Sequence, residues 1–232
     1  MADGPALAGS GIGAVLGALR LGSAALPIGA FAYSQALEQA VEVGLVRDAR
    51  TASSWIRGIL RSSILSGDVP VLVRLRQAWL AGRDADVRSW SDWLYATRAT
   101  RELREEERQL GGALFRLLAR LGEARAVPFQ AYPRATLASS FALSAVRWGL
   151  SAELSALSYC FAWTEAQVGA ATRLIPLGQS AAQAILSEAL SDVESGLAGA
   201  LERSDDDIVH TAPGQSLLSA AHETQYSRLF RS

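Results

Sequence analysis

The 232-residue chain contains no lysine: all 22 of its basic residues are arginine. A P-loop needs a lysine at the β- and γ-phosphates, and a pyridoxal phosphate enzyme needs one for its Schiff base, so neither is built here. Cysteine is nearly missing as well. The single Cys160 allows no internal disulfide and fits a reducing compartment; set between Tyr159 and Phe161, it reads as a small core residue. Two histidines, His210 and His222, fall in no C-x-x-C or H-x-x-x-H spacing, and a closed four-ligand zinc site is not expected. Neither histidine is set beside a serine on a recognisable scaffold, and no G-x-S-x-G turn occurs.

Uninterrupted apolar runs are also lacking. A membrane-spanning helix needs about 18 or more such residues. The N-terminal run breaks at Arg20 and Pro27, and the stretch from Thr136 to Leu174 is punctuated by Arg147, Glu153, Glu165 and Arg173. The opening MADGPALAGS has Asp3 where a secretion signal would carry positive charge. A cytoplasmic protein without membrane contact is expected. The net charge of −1 supplies no basic excess to attract a phosphate backbone, so nucleic acid is not expected as a partner.

What is present is a chain with 50% hydrophobic residues, enough for a real core. Its apolar positions recur at spacings of three and four, which predicts an all-α, single-domain bundle of about eight to ten helices. A first helix is expected through GAVLGALRLG, stopped near Pro27 and Gly29, and a second over Tyr33 to Val43, ended by Gly44. Asp48 or Thr51 can cap a third, and Asp68 begins a fourth with Pro70 in its first turn. One long helical stretch is expected from Asp84 to Gly122. After Pro128 and Pro133, two helices rich in small residues, about 136–149 and 151–174, are expected at the centre of the bundle, followed by an amphipathic helix over about 180–202. The expected division is a flexible leader (1–18), a helical domain (19–203) and a C-terminal tail (204–232).

Candidate chemistry is sparse. Gly9, Gly11 and Ala14 fit G-x-G-x-x-A, but no strand precedes them, as a dinucleotide fold requires. Asp205, Asp206 and Asp207 suit a turn or helix cap, or a hard cation. In TRELREEER, Glu102, Glu105, Glu106 and Glu107 interleave with Arg101, Arg104 and Arg108 at helical pair spacings. Such a block reads equally as a solvated face or as a charged docking surface. Nothing argues for an enzyme.

The ending HETQYSRLFRS is different. Chain ends are usually small and polar, whereas here His222, Tyr226, Leu229 and Phe230 would share one face of a helix, with Arg228 and Arg231 alongside. So short a helix is marginal in water, so the face must pack on its own domain or on a partner. Aromatic and arginine anchors suit helix-in-groove recognition of another protein.

Four segments in order resemble the urease accessory protein family UreF: LPIGAFAYSQALE (26–38), TRELREEER (100–108), RLIPLGQ (173–179), and DDDI with the terminal HETQYSRLFRS. The resemblance runs from about Leu19 to Ser232. It implies an all-helical homodimer that joins UreD (also called UreH) and the GTPase UreG in a complex inserting nickel into apo-urease. Scaffolding and modulation of the GTPase would be its role, with GTP bound by UreG and no stable cofactor of its own. It also implies that the tail orders against UreD, through Tyr226, Arg228, Leu229, Phe230 and Arg231, with His222, Glu223 and Gln225 beside them.

Phe31 matches an aromatic near the family's dimer and partner surfaces, and Ser34 and Glu38 match the same motif. Arg173 matches a basic residue implicated in modulating the GTPase, and Gln179 closes that segment. Arg101, Glu102, Arg104 and Glu105 complete the expected partner surface. Ala30 and Ala36 depart from the family, standing where glycine is usual. The alternative function is direct nickel handling, for which His222, Cys160 and Asp206 are the transient ligand candidates. So few imidazole and thiolate donors favour the scaffold.

Overall fold

A computed structural model describes residues 11–232, and among these residues every regular element is helical. The order is α1 (Gly11–Leu21), a 3-10 turn (Ala30–Ala32), α2 (Leu37–Glu42), α3 (Ala49–Ile59), a π-helical segment (Leu60–Asp68) and α4 (Val69–Leu80). There follow α5 (Asp84–Thr97), α6 (Arg101–Arg120), a 3-10 stretch (Ala124–Phe129), α7 (Leu137–Arg147), α8 (Ala152–Leu174), α9 (Gln179–Glu202), a 3-10 turn (Asp205–Asp207) and α10 (Pro213–His222). The regular chain thus begins inside the stretch expected as a leader. Gly9, the first glycine of the dinucleotide-like match, lies outside the described residues; Gly11 and Ala14 belong to α1.

Local chemistry explains several helix starts. Asp48 caps α3 by accepting from the Thr51 amide at 2.8 Å, while the Thr51 hydroxyl accepts from the Asp48 amide at 3.1 Å. Thr136 and Ser139 repeat this reciprocal box at α7. Gly44, with φ 75°, supplies the left-handed turn after α2.

Three expected elements differ. The second helix, expected from Tyr33, starts only at Leu37, because Gln35 and Ala36 take left-handed φ values of 53° and 69°. The fourth helix is no fresh start: α3 runs through the π segment into α4. Pro70 lacks the amide that an α-helix would direct at the Ser66 carbonyl, and that carbonyl instead accepts from Val209 N at 3.1 Å. Thr211 N bonds the Ser62 carbonyl in the same way at 3.1 Å, so the π-helical carbonyls bind the extended chain before α10. Finally, the long stretch over 84–122 is two helices. Thr100 caps α6, and Arg98 turns inward at the break.

α7 sits at the centre, buried on every side from Ala138 to Ala145 and packed against α4 and α6. α8 packs mainly on α9 and touches α7 less, so the two small-residue helices are not each other's main partners. Trp79, Phe115 and Phe129 form an aromatic core beside α7, with Trp79 Nε1 donating to the Ser139 carbonyl at 2.9 Å. α1 buries Gly13, Gly17 and Leu21 and leaves Ile12, Val15, Leu16 and Leu19 exposed. Gly111 lets α6 approach the start of α7 closely, since a Cβ there would lie 2.6 Å from the Thr136 backbone. Backbone cannot yield as a flexible side chain does. Gly111→Ala should therefore destabilise the protein by about 2 kcal/mol or more, read as a lower denaturant midpoint with an unchanged slope.

Candidate partner-binding site

The chain leaves α10 at His222 and returns across α2 and α6 without forming the helix expected for the tail. Its amides are satisfied by side-chain carboxylates instead. Buried Glu38 accepts from Leu229 N on Oε1 at 2.6 Å and from Phe230 N on Oε2 at 2.8 Å. Glu102 holds Arg228 Nη1 at 2.6 Å and His222 Nδ1 at 2.7 Å. The other face of the buried His222 ring places Nε2 3.4 Å from Glu38. Glu106 accepts from the Ser232 hydroxyl at 2.6 Å. The Ser232 carbonyl takes both the amide and the hydroxyl of Ser34, at 2.9 and 2.5 Å, and Arg231 N donates to the Ala32 carbonyl at 2.9 Å.

This path splits the tail's apolar residues between two sides. Phe230 is buried, 4% exposed, and the Arg173 guanidinium lies over its ring at 4.4 Å. Arg173 Nη2 also donates to the Phe31 carbonyl at 2.8 Å, tying the end of α8 to the 3-10 turn. Tyr226, by contrast, is fully exposed, Leu229 is 62% exposed and Phe31 71%. Glu223 accepts from the first amides of α6, Arg101 N at 2.9 Å and Glu102 N at 3.3 Å, where negative charge is favoured.

Behind the clamp lies a second polar layer. Gln35 donates Nε2 to Glu106 at 2.7 Å, accepts Trp163 Nε1 at 2.9 Å on Oε1, and receives Gln215 Nε2 at 3.3 Å on its carbonyl. These bonds hold the left-handed Gln35–Ala36 pair, a conformation costing about 1–2 kcal/mol per non-glycine residue. Ala36, standing where the resemblance leads one to expect glycine, thus occupies a backbone position suited to glycine. Burial pushes the Glu106 carboxyl up to about 7, against the lowering effect of the Ser232 and Gln35 hydrogen bonds.

Deeper still, Arg98 bridges Asp68, at 2.7 and 3.0 Å, and Glu107, at 2.7 Å from Nε. Glu107 also accepts from Leu137 N at 2.8 Å, and Tyr159 OH donates to Asp68 at 2.9 Å. Burial works against the Asp68 charge, yet the adjacent Arg98 guanidinium holds this carboxyl below its ordinary range. His210 meets Arg98 and lies 3.4 Å from Asp68; burial, then the Arg98 charge, lowers its pKa to about 4.

The structure therefore gathers Phe31, Ser34, Glu38, Arg101, Glu102, Arg173, His222, Glu223, Arg228, Phe230 and Arg231 into one region. Arg104 is turned to the Arg98 carbonyl at 2.6 Å, and exposed Glu105 pairs with Arg108. Gln225 makes a local bond to the Ser227 carbonyl, and Gln179 sits exposed at the start of α9. The three nickel candidates are not brought together. Cys160 is buried on α8 with its thiol pushed up to about 12 by burial, Asp206 is exposed in a 3-10 turn, and His222 faces two carboxylates. Among the described residues no group of three or more His, Cys, Asp or Glu side chains is placed to hold a metal ion.

Sequence reasoning read Glu106 and Glu107 as part of a uniform charged block, took Asp68 only as a helix start and Tyr159 only as a neighbour of Cys160, and passed over Gln35 and Arg98. One signal was present: 103, 106, 107 and 110 share a helical face, so both glutamates lie on the stripe of Leu103 and Leu110.

Fold and site together define an all-helical protein whose conspicuous feature is a carboxylate-held C-terminal segment presenting aromatic and apolar side chains. The UreF family model matches residues 46–190. The urease accessory protein UreF of Alkalilimnicola ehrlichii is 44% identical over 90% of this chain and 92% of its own length; that of Chromohalobacter salexigens is 43% identical over 94% and 95%. A bifunctional urease accessory protein UreEF of Bordetella bronchiseptica is 41% identical over 92% of this chain, the match covering 51% of that protein. This chain belongs to the UreF family of urease accessory proteins. No helix among the described residues is long and apolar enough to cross a membrane.

Two of the shifted buried groups, Glu106 and His210, give the fold opposing pH dependences. Glu106, raised in the fold, contributes stability that is complete below its unfolded value of about 4.5 and is lost as pH rises through about 7. His210, lowered in the fold, contributes stability present above about 6.5 and lost as pH falls through about 4. Glu106→Gln mimics the neutral carboxyl. It should be nearly neutral at pH 5 and stabilising by about 2–3 kcal/mol at pH 8, measured by denaturant unfolding at the two pH values.

Proposed function

We propose that this protein is the scaffold of a nickel-insertion complex, joining UreD and the GTPase UreG to apo-urease and modulating the GTPase without catalysing a reaction itself. The observation that carries this reading is the split tail: one ring buried in its own subunit, with Tyr226 and Leu229 left exposed. Such a segment is held at the margin. Ordering it costs conformational entropy that the burial of Phe230 and the hydrogen bonds to charged groups offset. A partner covering Tyr226 and Leu229 adds further burial, and the tail becomes fully ordered on UreD. The apolar stripe of α1 supports further association, including a homodimer.

The bifunctional UreEF relative carries a second accessory designation in the same chain, which fits action within an assembly. Direct nickel binding is the weaker reading. His222 is committed to Glu38 and Glu102, and the Cys160 thiol is kept protonated by burial. A cytoplasmic location follows from the proposed role.

Co-purification with UreD tests the tail. Tyr226→Ala and Leu229→Ala should each weaken capture by about tenfold, and Arg228→Ala less, since rim charges contribute less than buried anchors. Amides of Leu229, Phe230 and Arg231 should exchange faster in the free chain than in the complex. Undiminished capture by a chain truncated after Asp207 would refute the assignment, and a tight stoichiometric nickel site in calorimetry would refute the pure scaffold.

A further inference from the structure

Glu38, Glu102 and Glu106 all accept from the C-terminal segment, but their charges are met unequally. Glu102 has the Arg228 guanidinium at 2.6 Å, and Glu106 receives the neutral donors of Gln35 and Ser232. Glu38 is 8% exposed, yet among the described residues no arginine lies within ion-pair distance of it, and its ion-pair partner is the His222 ring at 3.4 Å. That ring is fully buried, with Nδ1 2.7 Å from Glu102 and Nε2 facing Glu38. Ionised carboxylates only accept hydrogen bonds, and an imidazole has two N–H groups only when it is protonated. A neutral ring with its proton at the shorter contact, to Glu102, turns an Nε2 lone pair towards the Glu38 oxygen that also takes the Phe230 amide.

We propose that His222 is a proton-operated latch on the tail: the imidazolium bridging Glu38 and Glu102 holds the Leu229 and Phe230 amides in place, and loss of its proton loosens them. Docking the tail withdraws Glu38 from water, so a cation beside it offsets a desolvation cost that the neutral ring leaves standing. The other charged groups around the ring do not take over this part. Arg228 is bound to the second oxygen of Glu102, Glu223 accepts from the first amides of α6, and Glu106 faces Ser232. The latch belongs to the free chain, so its test is separate from capture by UreD.

The test follows amide exchange of Leu229 and Phe230 in the full chain from about pH 5.5 to about pH 8.5, corrected for the intrinsic rate, alongside NMR titration of the two histidine rings. Protection of both amides should fall at least about tenfold as pH rises, the ratio that one hydrogen bond to a charged group supplies, with the same midpoint as the His222 ring. Protection of Ala142, in the middle of α7, should not follow it. His222→Gln cannot take up the proton and should leave both amides weakly protected at every pH, whereas a ring with only a packing role would lower protection without removing its pH dependence. His222→Asn is the second variant should the first unfold, and circular dichroism confirms the fold of each. The Glu106 carboxyl, pushed up to about 7, also touches the tail through Ser232, so the pH profile should persist in Glu106→Gln. A flat or rising profile in the unaltered chain, a midpoint apart from that of the His222 ring, a profile that survives in a folded His222 variant, or one that disappears in Glu106→Gln would overturn the proposal.

Discussion

Two adjacent glutamates that both point into the protein impose the constraint from which the rest of the structure follows. Burying neighbouring carboxylates on one helix is costly unless each finds a different solution, because like charges in a poorly solvated interior raise each other's energy. Glu107 is met by the buried Arg98 guanidinium and by the first amide of α7. Glu106 is instead lifted by burial towards neutrality and receives the neutral donors of Gln35 and Ser232. The first solution requires Arg98 to reach back from the break before α6. The second requires Gln35 to hold a left-handed backbone and the chain terminus to come within reach.

Seen this way, the interruption of helix between 97 and 101 has a physical cause. A continuous helix over 84–122 would satisfy local backbone bonding better, but it would not deliver the guanidinium between Asp68 and Glu107. The same requirement shapes the far side of the network. His210 approaches Asp68 from an extended segment that bonds the Ser62 and Ser66 carbonyls, and Gly67 makes room for it, a Cβ there meeting the Val209 carbonyl at 3.0 Å. The π-helical stretch is thus the docking edge for residues 209–211.

Legibility in the sequence follows this division between local and long-range causes. The all-helical class, a cap at Asp48 or Thr51 and the stop at Gly44 were readable because capping and glycine turns act within a few residues. The split at Arg98 carried only Thr100 as a local mark, and the π segment only a proline whose missing amide fits either reading. The left-handed pair at 35–36 was hidden by Gln35 and Ala36, residues with no local preference for that conformation. Of the site, the tail stood out by its own aromatic and arginine pattern, and the motif residues Ser34 and Glu38 were found through family resemblance. Gln35 and Arg98 were not, because their roles depend on partners far away in the chain: Trp163 and Gln215 for the first, Asp68 for the second.

The tail's chemistry explains why a bent, non-helical segment replaces the helix its pattern allows. A helix through 222–230 would satisfy its amides internally and gather Tyr226, Leu229 and Phe230 on one side, to be buried or exposed together. Handing the Leu229 and Phe230 amides to Glu38 frees the backbone to turn between these residues, so one ring packs under Arg173 while its neighbours stay outside. Glu38 is suited to this because a single carboxylate offers two acceptors to two successive amides, where an amide side chain has only one acceptor oxygen. The same carboxylate lies near the His222 ring, which Glu102 also binds, and Glu102 in turn holds Arg228. The end of α10, the start of α6 and the tail are consequently one hydrogen-bonded unit, and a surface formed on the tail is oriented by the core instead of by the tail's own helicity.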